Sequence, residues 1–328
     1  MKKTLLNDIA EKLGISNAQV SRALNHQKYV SDETRDRVLR LAKKMKYRNL
    51  SNRHRKRIAV LSSGLCDFTV HILRQFLFES ERMNFSFQFI PLANINKLDE
   101  RTFDGAVLIS QSPEQIKWCE KFKIPLVVIN HCGDSLENIA SVFPDADHEV
   151  RTAMTHFIQL GHRKIARLIY SSKKGSKRTL ARGIGEFCRL AEQNGIRDQV
   201  CSVHVEKSEE KLIEKMFSLA DEGYTAFLVV VSDIAPRLLH ALRQSGRRVP
   251  EDISLITYED NNSAYLVPPL TTIEYNYEQL VRKAVEQLKN EISGKKIIPE
   301  IHVPCRLNIR NSTAAPPKKN IRSKKSKA

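Results

Sequence analysis

Apolar positions in the first fifty residues recur at helical spacing in three short sets. Ile9, Ala10 and Leu13 share one face, Val20, Ala23 and Leu24 a second, and Val38, Leu41, Ala42 and Met45 a third. Gly14 falls between the first two sets, where a tight turn calls for positive φ. Ser16 and Ser31 fall where helix caps belong, and Thr34 holds the third helical position after Ser31, where a capping box has Glu. The spacing predicts two short helices that cross at a turn and a third that closes a small core over them. Ala10 permits the close crossing, and Ile15 and Val20 fill its angle. The second helix then turns a polar face outward, made of Asn17, Ala18, Gln19, Ser21, Arg22 and Asn25.

From Ile58 the pattern changes to short apolar runs separated by helical periods. Runs at 58–61, 85–90, 106–109 and 125–129 read as buried parallel strands, with helices near 70–83 and 113–122. A second set at 165–169, 200–203, 226–231 and 253–256 alternates with helices near 147–160, 178–194, 208–222 and 234–245. Two consecutive doubly wound α/β units follow from this alternation.

Charge sharpens the division. The net charge of +17 over 328 residues is concentrated at the two ends: residues 1–57 hold 16 Lys/Arg against 5 Asp/Glu, and residues 309–328 hold 7 against none. The middle is close to neutral. Positive charge beside a helix-turn-helix spacing points to duplex DNA, because phosphate neutralisation supplies most non-specific affinity. Arg on the exposed face can pair with guanine and Asn or Gln with adenine, while Ser hydroxyls suit phosphate. The basic N-terminus lacks an apolar run of signal-peptide length and no window approaches a membrane span, so a cytoplasmic protein is expected. The six cysteines, Cys66, Cys119, Cys132, Cys188, Cys201 and Cys305, have no Cys-x-x-Cys spacing and read as reduced thiols, with no metal or cofactor expected. Gly183-Ile184-Gly185 lacks the remaining glycine of a dinucleotide fingerprint, and neither a nucleophile elbow nor a P-loop occurs, so no enzyme is expected.

Asp8-Ile9-Ala10, Gly14-Ile15-Ser16, Val20 to Asn25, Val30-Ser31 and Thr34-Arg35 through Lys46-Tyr47 resemble the DNA-binding domain of the lactose-repressor (LacI/GalR) family of bacterial regulators. The resemblance continues through Val142 and Asp145, Gly161-His162, Arg182 with Gly185, Val249 to Ser254, Pro268 to Ile273 and Arg310 to Thr313. It implies an α/β protein with an N-terminal three-helix helix-turn-helix headpiece and a periplasmic-binding-protein-like core of two doubly wound subdomains. The corresponding boundaries are a headpiece at 1–47, a basic linker at 48–57, a core at 58–313 and a basic tail at 314–328 that is expected to be disordered. Within the core, one subdomain takes 58–143 plus 274–295 and the other 144–273 plus 296–313.

The resemblance also implies site residues. Asn17, Ala18 and Arg22 correspond to base-reading positions, Tyr29 adds a groove contact, and Ser16, Gln19, Ser21 and Asn25 sit near phosphates. Gln19 stands where the family usually has Thr. Leu50 is the one candidate for the minor-groove wedge of a hinge helix; the linker is shorter than the family's, so a basic tether tracking phosphates stands beside that reading. For an effector, Arg182 matches a ligand-contacting position, Glu259 stands where an Asp is usual, and Asn130 and Ser232 occupy cleft-edge positions. Phe68 and Tyr258 offer rings for stacking or for packing. The expected function is a homodimeric repressor that binds a double-stranded operator and is modulated by a small molecule in the core cleft, a sugar, sugar phosphate or purine. The alternative keeps DNA binding and leaves the core to dimerise without a ligand. The basic tail reads either as an extra DNA-tracking arm or as a solubilising segment.

Overall fold

The computed structural model describes residues 6–24, 30–45, 47, 55–97, 99–109, 115–116, 122–130, 139–171, 183–206, 208–230, 234–258 and 262–318. Helices α1 (Leu6–Leu13), α2 (Asn17–Leu24) and α3 (Asp32–Lys44) form the headpiece. Ile9, Val20, Ala23, Val38 and Ala42 are fully buried at their junction, and Tyr47 closes the underside. Gly14 has φ +64°, the left-handed value the turn between α1 and α2 needs. Ser31 caps α3 as its position predicts, accepting from the Thr34 N–H at 3.3 Å, while its hydroxyl donates to the Thr34 hydroxyl at 2.8 Å.

The core contains two six-stranded sheets. In the first, β1 (Lys56–Ser62), β2 (Phe85–Pro91), β3 (Gly105–Ile109), β4 (Leu126–Ile129), β5 (Ala140–Pro144) and β11 (Glu300–Val303) run parallel in the order β11-β5-β4-β3-β1-β2. The second comprises β6 (Ile165–Ser171), β7 (Val200–Glu206), β8 (Ala226–Val230), β9 (Ser254–Tyr258), β10 (Thr271–Glu274) and β12 (Arg306–Asn308). Its order is β12-β10-β9-β8-β6-β7, and β12 alone among the described strands is antiparallel. Helices α4 (Asp67–Arg82) and α9 (Tyr277–Ile292) pack on the first sheet. Helices α5 (Ala146–Gln159) and α6 (Ile184–Gln193) cover one face of the second, and α7 (Glu209–Asp221) and α8 (Ala235–Gln244) the other. Both sheets read as near-continuous apolar runs because both of their faces are covered.

The chain crosses between the sheets three times, after Pro144, after Glu274 and between Val303 and Arg306. The first two lie beside the expected boundaries at 143/144 and 273/274. The third does not: residues 300–303 pair with β5, so this segment belongs to the first sheet and only β12 reaches the second. The sequence assigns 296–313 to one subdomain because only Pro304 and Cys305 interrupt the two extended segments. Likewise β1 begins at Lys56, two residues inside the expected linker, where Asp104 accepts from the Arg57 N–H at 2.7 Å and from the Lys56 ammonium at 3.2 Å. The expected helix at 113–122 falls mostly outside the described residues, as do linker residues 48–54 and tail residues 319–328.

Candidate functional site

On α2, Ser16 and Gln19 cap each other. The Ser16 hydroxyl accepts from the Gln19 N–H at 3.2 Å, and the Gln19 side-chain carbonyl accepts from the Ser16 N–H at 2.9 Å and from its hydroxyl at 3.1 Å. This is a capping box with Gln at the third helical position, and it satisfies donors the helix start leaves open. Gln19 thus has a structural task that the family comparison of single positions did not reveal. Asn17, Ala18 and Arg22 are exposed and Ser21 is half-buried. The Asn17 amide donates to Asn7 Oδ1 on α1 at 2.9 Å, and Asn7 in turn donates to Glu11. Asn25, Tyr29 and Leu50 lie outside the described residues. Arg55, at the start of the core, places its guanidinium fork on Glu81, with contacts of 2.8 and 2.5 Å, which ties the end of the linker to α4.

The carboxyl ends of the strands and the three crossings converge between the two sheets, where a doubly wound core is expected to hold its cleft. Phe68, in the first turn of α4, meets Tyr275 edge-on at 5.8 Å and Tyr277 at 5.7 Å. Tyr275 also meets Tyr258 at 5.3 Å, and His71 stacks on Tyr277 at 4.7 Å. One aromatic group therefore runs from α4 through the second crossing to the end of β9. Asn130 follows β4 with φ +61°, and its backbone N–H donates to the Val142 carbonyl at 2.9 Å. Of the expected effector residues, Phe68, Asn130 and Tyr258 reach this region; Arg182, Ser232 and Glu259 lie outside the described residues. Tyr275 and Tyr277 were missed from sequence, although two aromatics spaced by one residue directly after a strand were a visible signal.

Beneath the aromatic group lies a buried polar cluster. The Tyr258 hydroxyl donates to Glu149 Oε2 at 2.7 Å; Glu149 is in the first turn of α5 and 5 % exposed. Arg167, in mid-β6, is 4 % exposed; burial lowers its pKa, and the nearby Tyr258, Glu149 and Tyr275 oppose that shift. Burial and the Glu149 charge push the Tyr258 phenol well above its ordinary range, so it remains a donor. Cys305, on the third crossing, is pushed up to about 12 by burial and by the Glu149 and Asp145 charges; its sulfur lies 3.4 Å from His148 Nδ1. Such a buried thiol is inert. Among the described residues no group of three or more His, Cys, Asp or Glu could hold a metal, and no helix is long and apolar enough to cross a membrane.

A three-helix head whose second helix presents an exposed polar face, carried by a two-sheet core that the chain crosses three times, is the build of a DNA-binding regulator. Residues 5–49 match the family model of bacterial regulatory proteins, lacI family, and residues 154–313 match that of the periplasmic binding protein-like domain. The chain is 26 % identical to the probable HTH-type transcriptional repressor ExuR of Bacillus subtilis (strain 168), across 94 % of this chain and 99 % of that one. It is 24 % identical to the lactose operon repressor of Escherichia coli (strain K12), across 96 % and 92 %. Among solved structures, the lac repressor dimer bound to operator and the anti-inducer ONPF matches with a TM-score of 0.69 at 22 % identity, covering 96 % of this chain and all of that one. A LacI family regulator from Enterococcus faecium with bound ribose matches with a TM-score of 0.65 at 24 % identity, covering 79 % and 99 %. Residues 5–49 are thus a lacI-family regulatory domain and residues 154–313 a periplasmic binding protein-like domain, the fold is lac repressor-like, and the chain is similar over nearly its whole length to transcriptional regulators.

Proposed function

We propose that the protein is a homodimeric repressor that reads a pseudo-palindromic operator through α2 and changes its grip when a small molecule enters the cleft between the two sheets. The observation that carries this is the capped α2 with Asn17, Ala18 and Arg22 exposed on one face. Arg22 pairs with guanine and Asn17 with adenine in the major groove, and Ser16 and Ser21 meet phosphates. One headpiece spans few base pairs, so two act together, and two-fold symmetry sets the half-site spacing. Each lobe offers apolar surface for that pairing: Leu77 and Phe78 on α4 are 64 % and 61 % exposed, and Tyr265 and Val267 on the other lobe are 84 % and 73 % exposed.

For the effector, Phe68, Tyr275 and Tyr277 supply ring faces at the crossing, with Asn130 buried at the end of β4, a set suited to a sugar or a purine. Tyr258 serves as the floor, since its hydroxyl is engaged by Glu149 and its ring by Tyr275. Arg182, Ser232 and Glu259 remain candidates for polar contacts. Solved relatives with bound ribose and with cellobiose support the sugar reading. Anisotropy titration of the full chain against a pool of duplexes tests the DNA reading: one duplex family is preferred over random sequence, and equal binding to all duplexes at every salt concentration refutes it. A thermal-shift screen with sugars, sugar phosphates and purines tests the switch; a hit raises the melting temperature and also changes operator affinity.

A further inference from the structure

The second crossing is one residue long, and its side chain lies in both cores. Strand β10 ends at Glu274, whose carboxylate accepts from the Asn308 amide at 2.9 Å and from Arg306 Nε at 3.1 Å, both on β12. Helix α9 is capped by Asn276, whose side chain accepts from the Gln279 N–H at 3.1 Å. Glu274 is thereby tied into the second lobe and Asn276 into the first, and Tyr275 stands between them. Its carbonyl accepts from the Tyr277 N–H at 2.9 Å, which folds the chain tightly at that point. Domain hinges absorb their change in φ and ψ at a few such positions between rigid elements.

The Tyr275 ring is half-buried. Among the described residues it is the one hydrophobic side chain that packs against both the core under α4 and α9 and the core under α5 and α6. Toward the first lobe it meets Phe68 edge-on at 5.8 Å and Tyr277 edge-on at 5.9 Å. Toward the second it meets Tyr258 at 5.3 Å with the ring planes 51° apart.

These contacts differ in firmness. Tyr258 is 7 % exposed and its hydroxyl donates to the buried Glu149 at 2.7 Å, so its ring cannot follow a moving neighbour. Tyr277 opens α9 and is stacked on His71 at 4.7 Å. Phe68 is half-buried in the first turn of α4, directly after the exposed stretch 63–67. A change in the angle between the lobes turns the Tyr275 backbone, and the ring must part from one side. The hydrogen-bonded Tyr258 keeps it, and Phe68 releases it.

We propose that Tyr275 is the positioning residue that sets the angle between the two lobes, and that its contact with Phe68 is the one broken when a small molecule occupies the cleft. The proposal rests on the effector-switch reading above, but the geometry it describes is tested without ligand or DNA.

The test measures lobe geometry in the full chain. Non-natural amino acids that carry spin labels replace Gln88 on the first lobe and Gln244 on the second, both exposed. Labelled protein is mixed with excess unlabelled protein, so that pulsed electron resonance reads distances within one chain. The parent gives one narrow distance distribution. Tyr275→Leu, which keeps apolar volume and removes the ring, broadens it and displaces its mean by more than the parent width. Phe68→Leu does the same, and Tyr275→Phe restores the parent distribution. Phe68→Leu spares the residue shared by the two cores, so the measurement still decides if Tyr275→Leu fails to fold. An unchanged distribution in Phe68→Leu overturns the proposal, and so does a Tyr275→Phe distribution that matches Tyr275→Leu. Operator titration is read separately: Tyr275→Leu is expected to change operator affinity about fivefold or more. If the lobe distances move and operator affinity does not, the switch reading fails and the hinge assignment of Tyr275 stands.

Discussion

Tyr258 and Glu149 are joined by a 2.7 Å hydrogen bond that links the end of β9 to the first turn of α5 directly under the cleft. Both residues are more than nine-tenths buried, and Arg167 lies within electrostatic range of both. Tyr258→Phe leaves one carboxylate oxygen without its donor and is expected to cost about 1–3 kcal/mol of core stability. Glu149→Leu is expected to cost more, about 3–5 kcal/mol, because the Arg167 charge then lacks compensation. Adding Arg167→Leu to it recovers part of that loss. Urea unfolding of the four proteins checks this; a double variant less stable than Glu149→Leu alone contradicts the coupling.

The reciprocal cap of Ser16 and Gln19 makes a separable prediction about the headpiece. Gln19→Ala removes one half of the box and is expected to lower headpiece stability by about 0.5–2 kcal/mol. Gln19→Glu preserves it, since Glu is the commoner partner at this position. Helix content followed by circular dichroism during heating distinguishes them. Unfolding of the alanine variant at the wild-type temperature would show that the cap contributes nothing.

The Asn17 amide donates to Asn7 Oδ1 at 2.9 Å, so reading a base requires it to change partners. Asn17→Ala and Arg22→Ala are each expected to weaken operator binding by about 1–3 kcal/mol and to relax preference at one position. Asn7→Ala frees the Asn17 amide, and operator affinity is expected to hold or rise. A fall in affinity for Asn7→Ala matching that of Asn17→Ala would instead make the pair a structural unit.

Burial holds both His156 and His162 below the ordinary imidazole value of 6.5. The unfolded chain therefore takes up protons before the folded protein does. Stability from these two residues is complete above about pH 6.5 and is lost as pH falls through the lower folded-state values. Glu186 behaves alike in a more acid window: hydrogen bonds from Arg189 and Arg151 and their charges bring it from 4.5 to about 2. Denaturation midpoints are expected to change little between pH 8 and 6.5 and to decline by pH 5, and His156→Gln with His162→Gln to flatten the decline. A steeper decline in the double variant reverses the sign and rejects the assignment.

Much of this architecture was legible because its physics is local. Buried runs such as 226–230 and the caps at Ser16 and Ser31 announce themselves within a few residues. The third crossing did not, because two short strands separated by Pro304 and Cys305 carry no periodic signal that assigns them to different sheets. The candidate DNA face was readable from helical spacing, whereas the role of Gln19 depended on side-chain direction. Arg167, inside an apolar run, was a visible anomaly whose meaning needed Glu149, eighteen positions away, and Tyr258, ninety-one positions away. Tyr275 joins the cleft through long-range aromatic contacts that one sequence does not encode locally.

The crossings also restrict how the lobes can move. The Asp145 N–H donates to the Val303 carbonyl at 2.9 Å, which fastens the first crossing to the third where both leave the sheet. Two threads so tied resist sliding past one another, while torsion about the short segments between Pro144 and Arg306 stays inexpensive. Under the effector reading, the lobes are expected to swing rather than slide, and the Arg55–Glu81 pair ties the end of the linker to the first lobe.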